Sequence, residues 1–260
     1  MRKITKKKHL EMIIQNIPSH PNPKVELEQY STPASIASDI MWNAYSLGDI
    51  KDLSVVDLGC GTGIFAISSS LLGAKNVLGI DIDSESLKLA EKTVVDIGVD
   101  AQKMKNLHFF QSDINFLKKI NDLNISGFLD DKVDTIIQNP PFGSQERTKK
   151  GADRKFMDFS VENSSVVYSF HMASTKDFVE NYFEDLGARI THEFFYNFPL
   201  KKIYKFHTHE LRNVEVIVFR VETFWFSFLA LSLSFLFSVS FISYIFVLFY
   251  FNKIYFLFFS

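Results

Sequence analysis

The sequence predicts an α/β fold, with a seven-stranded, mostly parallel sheet that closes in an antiparallel hairpin at its C-terminal end. Three observations support this prediction. Between residues 50 and 222, short apolar runs rich in β-branched residues alternate with segments of helical periodicity. A turn with three alternating glycines, Gly59–Gly63, follows the first apolar run. Three successive predicted strands each end near an aspartate, at the edge where open α/β sheets bind ligands.

Composition divides the chain into a charged body and an apolar tail. The 260 residues carry a net charge of -2 and are 47% hydrophobic, but Lys253 is the only charged residue after Glu222. The body is therefore slightly acidic, and affinity for nucleic acid must come from local basic patches. A single cysteine, Cys60, excludes an intramolecular disulfide and a cysteine-based zinc cluster. We expect a cytoplasmic protein with residues 1–49 as an N-terminal helical segment, 50–222 as the catalytic core and 223–260 as a hydrophobic tail.

Two helices are predicted before the first strand. Apolar residues at helical spacing favour a helix over Lys6–Ile17, which a run of prolines ends. A second helix is predicted over Ala34–Ser46, with Thr32 as its N-cap and Pro33 at the first helical position. Gln29 and Thr32 could also reach a ligand at the edge of the sheet.

The first predicted strand, Leu53–Leu58, leads through the glycine turn into a predicted helix over Ile64–Leu72. Three alternating glycines allow the backbone to approach a ligand closely. Their G-x-G-x-G spacing differs from the G-x-G-x-x-G of dinucleotide binders. Asp57 lies two positions before Gly59, where it would repel a pyrophosphate and attract the ammonium group of a sulfonium cofactor.

Two further strands are predicted over Asn76–Ile80 and Leu107–Gln111. Asp81 follows the first of them, where a carboxylate accepts hydrogen bonds from ribose hydroxyls in this architecture. Asp113 follows the second and could accept a hydrogen bond from an adenine amine. Each aspartate alone is more often a cap or turn residue. Together with the glycine turn, which comprises Gly59, Cys60, Gly61, Thr62 and Gly63, they predict binding of S-adenosylmethionine.

A fourth predicted strand, Val133–Ile137, leads into a rigid loop, Asn139-Pro140-Pro141-Phe142. The two prolines end the strand because neither has a backbone N–H. The loop offers an amide, unpaired backbone carbonyls and an aromatic face, which suit a planar group that carries an exocyclic amine. The alternative interpretation is a structural Asn-Pro turn between core elements.

Five motifs occur in one order beside the turn Asp57–Gly63: Leu27-Glu28-Gln29-Tyr30-Ser31-Thr32, Asn139–Gly143, Lys150-Gly151-Ala152-Asp153, Val167-Tyr168-Ser169-Phe170-His171 and Tyr204-Lys205-Phe206-His207. Together they resemble the methyltransferase-like-five family of ribosomal RNA adenine-N6 methyltransferases, within the class I S-adenosylmethionine-dependent amino-methyltransferases. The resemblance runs from about residue 8 to Glu222 and implies a Rossmann-like class I methyltransferase fold. Ser31, Thr62 and Met172 depart from residues that are common in the family.

The resemblance also implies roles for single residues and for a partner. The cofactor site would be lined by Gln29, Thr32, Gly59, Thr62, Ile64, Asp81, Asp113 and Ile114, while Asn139, Pro140, Pro141 and Phe142 would hold the target adenine. The Asn139 side-chain oxygen and the Pro140 carbonyl can accept the two amine N–H bonds, and Phe142 can stack on the base. No strong general base is required, so we interpret His171 as structural. A small zinc-containing activator subunit of the Trm112 type is implied, and its metal would belong to that subunit.

A basic run follows the loop. Its cationic residues are Arg147, Lys149, Lys150, Arg154 and Lys155, directly beside the proposed base pocket. Two interpretations remain open: phosphate contact with a nucleic acid, and a solvated loop. Gly151 could serve as a hinge that closes this loop over a flipped nucleotide.

Three more strands complete the predicted sheet, over Ser165–His171, Arg189–Phe198 and Val214–Val221, with a helix over Ser174–Leu186. Beyond them, Thr223–Asn252 contains no charged residue and could span a bilayer, which needs about 20 apolar residues. Three interpretations of this tail compete: a membrane anchor, a partner-binding helix, and a spurious extension read from non-coding sequence. Membrane association of the protein is expected only through this tail.

Other functions are consistent with the same loop. A glutamine methyltransferase of translation release factors would hold a side-chain amide there, although such enzymes carry a larger N-terminal substrate domain. A guanine-N2 methyltransferase is another enzyme alternative. A cofactor-binding scaffold for ribosome assembly is the alternative without catalysis.

Overall fold

The computed structural model describes residues 4–20, 22–24, 27–99, 105–123, 128–129, 132–142, 152–201 and 211–223. The chain divides into two units, Met1–Thr223 and Phe224–Ser260, and every described residue belongs to the first. The predicted basic contacts Arg147, Lys149 and Lys150 lie outside the described residues, as does the tail beyond Thr223. In the part of the chain described, no helix is long and apolar enough to cross a lipid bilayer.

Seven strands form one sheet in the order β3-β2-β1-β4-β5-β7-β6. They are β1 (Ser54–Leu58), β2 (Asn76–Asp81), β3 (Leu107–Gln111), β4 (Val133–Gln138), β5 (Ser164–Met172), β6 (Ala188–Lys201) and β7 (Leu211–Thr223). Strands β1 to β5 pair in parallel, and β7 runs antiparallel between β5 and β6. The predicted fold class, with its antiparallel C-terminal hairpin, is confirmed. The carboxyl ends of β1, β2, β3 and β4 consequently meet at one edge.

The described residues also form six α-helices. They are α1 (Lys7–Ile14), α2 (Ala34–Ser46), α3 (Ile64–Leu72), α4 (Ser84–Asp96), α5 (Ala152–Asn163) and α6 (Lys176–Asp185). Helices α2 and α3 have the predicted bounds. Helix α1 is shorter than predicted, and α6 begins after a 3-10 turn, Ala173–Thr175.

Two local predictions are wrong. Thr32 does not cap α2, because the N-cap position is Pro33 and no side chain bonds the free N–H groups there. The Thr32 hydroxyl instead accepts a hydrogen bond from Asn139. The basic run is not a loop throughout, because Arg154 and Lys155 lie in α5. Burial of Met157 and Ser160, three positions apart, explains why this stretch is helical.

Buried side chains cover both faces of the sheet. One cluster packs α1, α2 and α3 against the sheet and includes Leu10, Met41 and Ile67. A second cluster joins Val56, Leu78 and Ile136 to Phe159 of α5, and a third joins α5 and α6 to β5 and β7. This three-layer arrangement holds the carboxyl edge of the parallel strands in place and leaves their loops to build a site.

Gly79 in β2 shows how closely this core is packed. A Cβ at Gly79 would lie 2.5 Å from Cδ1 of Phe109 and 3.0 Å from Sγ of Cys60. The Phe109 ring thus crosses β2 directly over the glycine, so any larger residue there would displace the ring.

Candidate active site

A cavity of about 470 Å³ opens at the carboxyl ends of β1 and β4. It is lined by residues of the N-terminal segment, of the glycine turn and of the loop after β4. These are Ile14, Gln15, Ile17, Pro18, Ser19, His20, Pro23, Gln29, Tyr30, Ser31, Thr32, Pro33, Ala34, Gly59, Cys60, Gly61, Thr62, Ile64 and Phe65, together with Asn139 and Pro199. The structure therefore brings the glycine turn and Asn139 into one cavity, as the sequence predicts.

The glycine turn depends on left-handed backbone at each glycine. The φ angles are 74° at Gly59, 53° at Gly61 and 85° at Gly63, which other residues adopt only with strain. The turn is tied to the neighbouring strand because the N–H groups of Gly59 and Cys60 both donate to the Ile80 carbonyl, at 2.8 and 2.9 Å. The result is a fixed concave backbone at the floor of the cavity.

Asp57 supports this turn from below. Its Oδ2 accepts a hydrogen bond from the Ala66 N–H at 2.8 Å, whereas Oδ1 is buried and has no partner among the described residues. The carboxyl is 1% exposed, and burial raises its pKa to about 7 against the opposing effect of the Ala66 bond. Asp57 does not line the cavity, so it can act on a bound ammonium group only from behind the turn.

Asp81 lies at the end of β2 and contacts the same turn. Its Oδ2 accepts from the Gly61 N–H at 2.7 Å and its Oδ1 from the Asp83 N–H at 2.8 Å. Burial raises the pKa of Asp81, while these backbone bonds oppose the rise. A carboxylate has about four lone-pair sites, so these bonds leave an acceptor site for the predicted ribose contact, although Asp81 is not among the residues that line the cavity.

The predicted adenine contacts lie at the neighbouring strand end. Asp113 Oδ1 accepts from the backbone N–H of Asn115 at 2.9 Å and from its side-chain amide at 2.7 Å. Asp113 and Ile114 are half-buried and follow β3, but neither lines the cavity. The predicted cofactor residues thus form two groups, one around the cavity and one at the end of β3.

Gln29 lines the cavity, but its amide is already bonded within the chain. Its Oε1 accepts from the Lys24 N–H and its Nε2 donates to Asp83 Oδ2, both at 2.8 Å. Glu28, with φ of 46°, reverses the chain immediately before Gln29. Gln29 therefore fastens the N-terminal segment to the end of β2, beside any contact it makes with a ligand.

Asn139 is oriented by Thr32. Its Nδ2 donates to Thr32 Oγ1 at 3.0 Å, and the two residues are 107 positions apart. Because an amide carries its donor and acceptor on opposite sides, this bond turns the acceptor Oδ1 away from Thr32. Pro140 is buried, and Phe142 packs against the core cluster at the same edge. The loop is thereby fixed at its base, and Asn139 lines the cavity together with Thr32.

Two basic residues of the predicted substrate contact are described, and both lie on α5. The Arg154 guanidinium lies 5.1 Å from the centre of the Phe178 ring and 5.9 Å from that of Tyr182. This geometry indicates cation–π packing against α6. Lys155 is exposed to solvent.

His171 is buried at the end of β5, with 2% of its surface exposed. Its Nε2 lies 2.6 Å from Ser169 Oγ, and burial lowers its pKa to about 3. The ring is thus neutral and enclosed, which agrees with the structural interpretation of this histidine.

Sequence reasoning missed three residues around the cavity. His20 lines the cavity. Asp83 and Ser86, at the N-terminus of α4, do not line it but form hydrogen bonds with Gln29 and His20, which do. Asp83 could have been recognised as the N-cap of an unpredicted helix, since Asp-Ser-Glu-Ser is a typical helix start. No motif marks His20.

Comparison with known proteins finds methyltransferases among the relatives of this chain. Residues 43–139 match the family described as ribosomal protein L11 methyltransferase (PrmA). The chain is 42% identical over 217 residues to an uncharacterized protein of Methanocaldococcus jannaschii, covering 84% of this chain and 94% of that protein. It is 31% identical to the rRNA N(6)-adenosine-methyltransferase Mettl5 of Drosophila melanogaster, covering 84% of this chain and 96% of that protein.

A solved structure extends the similarity to the fold. The crystal structure of a candidate RNA methyltransferase from Pyrococcus horikoshii superimposes with a TM-score of 0.71 at 33% sequence identity. The match covers 85% of this chain and 98% of that one. The match thus extends beyond residues 43–139, the region shared with the L11 methyltransferases.

Proposed function

Because the chain belongs to the Mettl5 family of rRNA N6-adenosine methyltransferases, we infer that it transfers a methyl group from S-adenosylmethionine to the N6 amine of an adenosine in ribosomal RNA. One observation carries this inference. Asn139 lines the same cavity as the glycine turn, and its acceptor Oδ1 is turned away from Thr32. An amine held by Asn139 would therefore lie within one cavity of the donor.

The residues present fit S-adenosylmethionine. The glycine turn lines the cavity at Gly59 and Gly61, whose left-handed backbone and missing side chains allow a ligand to approach closely. Asp81 supplies carboxylate acceptors for a ribose, and Asp57 supplies a buried carboxyl behind the turn for an ammonium group. When bound, the cofactor supplies an activated methyl group on a sulfonium.

The chain's own residues supply alignment of the target amine. Asn139 Oδ1 and the Pro140 carbonyl are the two acceptors that can hold the amine's N–H bonds and turn its lone pair away from the ring. Phe142 offers its ring for stacking, which is worth about 1–3 kcal/mol per base in nucleic-acid binders. Fixed prolines keep both acceptors in place, so alignment requires little ordering at the moment of reaction.

The match to L11 methyltransferases covers residues 43–139, which include the glycine turn and the predicted cofactor aspartates. It ends at residue 139, whereas the Mettl5 relatives match over most of the chain. Substrate choice depends on the residues around and after the loop, so we give the rRNA relatives the greater weight.

The test is methylation of ribosomal RNA by the purified protein with labelled S-adenosylmethionine, followed by digestion to nucleosides. We expect label in N6-methyladenosine. Asn139→Ala should lower the rate at least about 100-fold, the usual effect of removing one acceptor or donor from a preorganised site. Asn197→Ala, on the exposed face of β6, is the matched control and should retain activity. Label in another nucleoside, or full activity in Asn139→Ala, would contradict the proposal.

We further propose that a Trm112-type activator subunit binds the β3 edge of the sheet. Strand β3 ends the sheet on one side, and beyond it Phe116 is 83% exposed, with Ile82 43% exposed at the adjacent strand end. Unpaired backbone groups and exposed apolar side chains are what a partner strand covers.

Phe116→Ser should weaken co-purification with a Trm112-type subunit. The matched control is Phe195→Ser on β6 at the opposite edge, where Phe195 is 61% exposed. Equal binding by Phe116→Ser and the wild type would place the partner elsewhere.

A further inference from the structure

His20 lies against the glycine turn, at the cavity. A Cβ on Gly61 would lie 2.9 Å from His20 Nε2 and 3.0 Å from Cε1, so the imidazole edge covers this glycine. His20 belongs to none of the motifs that define the family resemblance. Its position beside Gly61 nevertheless places a polar side chain where the cofactor is expected.

A chain of hydrogen bonds fixes which His20 nitrogen carries the proton. Ser86 Oγ donates to Asp83 Oδ2 at 2.9 Å, and a carboxylate can only accept. The single Ser86 proton is therefore used. His20 Nδ1, which lies 2.8 Å from Ser86 Oγ, must donate to that oxygen. This leaves Nε2 as an acceptor with a lone pair on the side of Gly61.

Asp83, the last residue of this chain of hydrogen bonds, is held by two further bonds. Asp83 Oδ1 accepts from Lys24 Nζ, and Oδ2 accepts from Gln29 Nε2, both at 2.8 Å. These bonds lower the pKa of Asp83 to about 2 although burial opposes them, so the carboxylate stays charged at neutral pH. Burial lowers the pKa of His20, so its ring is neutral there. Both groups keep the protonation states that the hydrogen-bond directions require.

We propose that His20 is a cofactor-binding residue whose Nε2 accepts a hydrogen bond from a ribose hydroxyl of S-adenosylmethionine. This rests on the proposed function, because it takes the cofactor from it. The Gly61 N–H donates to Asp81 Oδ2, and His20 Nε2 lies where a Gly61 side chain would be, so both acceptors are next to one glycine. Two neighbouring acceptors match the two donors of a ribose diol. Ser86 and Asp83 are positioning residues, which act through the tautomer of His20.

The experiment is calorimetric binding of S-adenosylhomocysteine and of its 2′-deoxy and 3′-deoxy analogues. His20→Phe keeps a ring of similar size without the acceptor and should bind S-adenosylhomocysteine about three- to tenfold more weakly, the value of one neutral hydrogen bond. At least one deoxy analogue should lose affinity for the wild type and not for His20→Phe, because the hydroxyl and its acceptor form a pair.

Ser86→Ala tests whether Ser86, which does not touch the ligand, fixes the tautomer of His20. It should weaken binding about twofold by releasing the tautomer, a change well below the loss of a full hydrogen bond. Ser69→Ala, a buried serine of α3 that donates to the Phe65 carbonyl, is the matched control and should bind as the wild type does.

The alternative is that the His20 ring only occupies the cavity. His20→Ala would then bind S-adenosylhomocysteine more tightly than the wild type, and this result would overturn the proposal. An unchanged deoxy effect in His20→Phe would overturn it too. A wild type that binds the cofactor but does not methylate rRNA would contradict the proposed function alone.

Discussion

Asp83 joins the N-terminal segment to the cofactor side of the sheet, and its replacement should lower the free energy of unfolding by a measurable amount. Its carboxylate accepts from Lys24, Gln29 and Ser86 and caps α4 at the Glu85 N–H. The side chain is 4% exposed, so solvent screens these contacts little. Replacement of Asp83 by Asn keeps the size and one acceptor but removes the charge.

The magnitude follows from the pKa. The folded-state pKa of Asp83 is about 2, against an ordinary value of 3.8. This difference in pKa between the folded and the unfolded state corresponds to about 2 kcal/mol of unfolding free energy at neutral pH. Because the folded pKa lies below the unfolded one, this stability is fully present above about pH 4 and is lost as the pH falls through about 2. Roughly half of it should already be lost at pH 3.

The assay is urea denaturation of the wild type and Asp83→Asn at pH 7 and pH 3. The difference in unfolding free energy should be about 2 kcal/mol at pH 7 and about 1 kcal/mol smaller at pH 3. Glu85→Gln, in the first turn of the same helix, reports the helix dipole alone and should lose less than about 1 kcal/mol. A difference between wild type and Asp83→Asn that stays constant over this pH range would refute the reasoning.

Three further predictions concern the cavity and the core beneath it. Thr32→Val should lower kcat roughly tenfold in the methylation assay, because Asn139 loses the hydrogen bond that orients its amide, and should lower cofactor affinity less than it lowers kcat. Thr32→Ser keeps the hydroxyl and should restore the rate. Gly79→Ala should destabilise the fold by about 1–3 kcal/mol in urea denaturation, since its Cβ would overlap Phe109. The unfolding free energy of the wild type should fall by about 3 kcal/mol between pH 5 and 8, because the folded pKa of Asp57 is about 7 and lies above the unfolded value. Asp57→Asn should remove this fall. Equal pH slopes for Asp57→Asn and the wild type would contradict this last prediction.

Local signals predict much of the fold because they act within a few residues. Helix α3 has its predicted bounds, since it begins after the glycine turn and ends at Gly73, which adopts φ of 94°. Strand β3 also has its predicted bounds. The hairpin strands are longer than predicted, because Pro199–Lys201 of β6 pairs through its backbone with Leu211–Asn213 of β7. The proline argues against a strand at that point of the sequence, since it cannot donate a ladder hydrogen bond. Helix α5 was missed because its first turn is dominated by charges, while its buried positions come later.

The site is only partly visible in the sequence, for a different reason. Motifs identify the glycine turn and the Asn139 loop, whose chemistry depends on residues adjacent in the chain. The hydrogen bond between Thr32 and Asn139 joins residues 107 positions apart, and that between His20 and Ser86 joins residues 66 apart. No pattern within one segment specifies which side chain completes such a pair. Local propensity instead predicts that Thr32 caps α2, whereas its hydroxyl accepts a hydrogen bond from Asn139.

The two long-range contacts have a common consequence for function. Thr32 and Gln29 belong to one short stretch, and both line the cavity. Thr32 orients the acceptor amide of Asn139, while Gln29 is bonded to Asp83, which fixes the tautomer of His20 through Ser86. The N-terminal segment is therefore a structural part of both the target-amine side and the cofactor side of the cavity. Because these sides share one stretch of backbone, a shift of that stretch would misalign donor and acceptor together, and alignment is the main contribution that a methyl transfer requires from the protein.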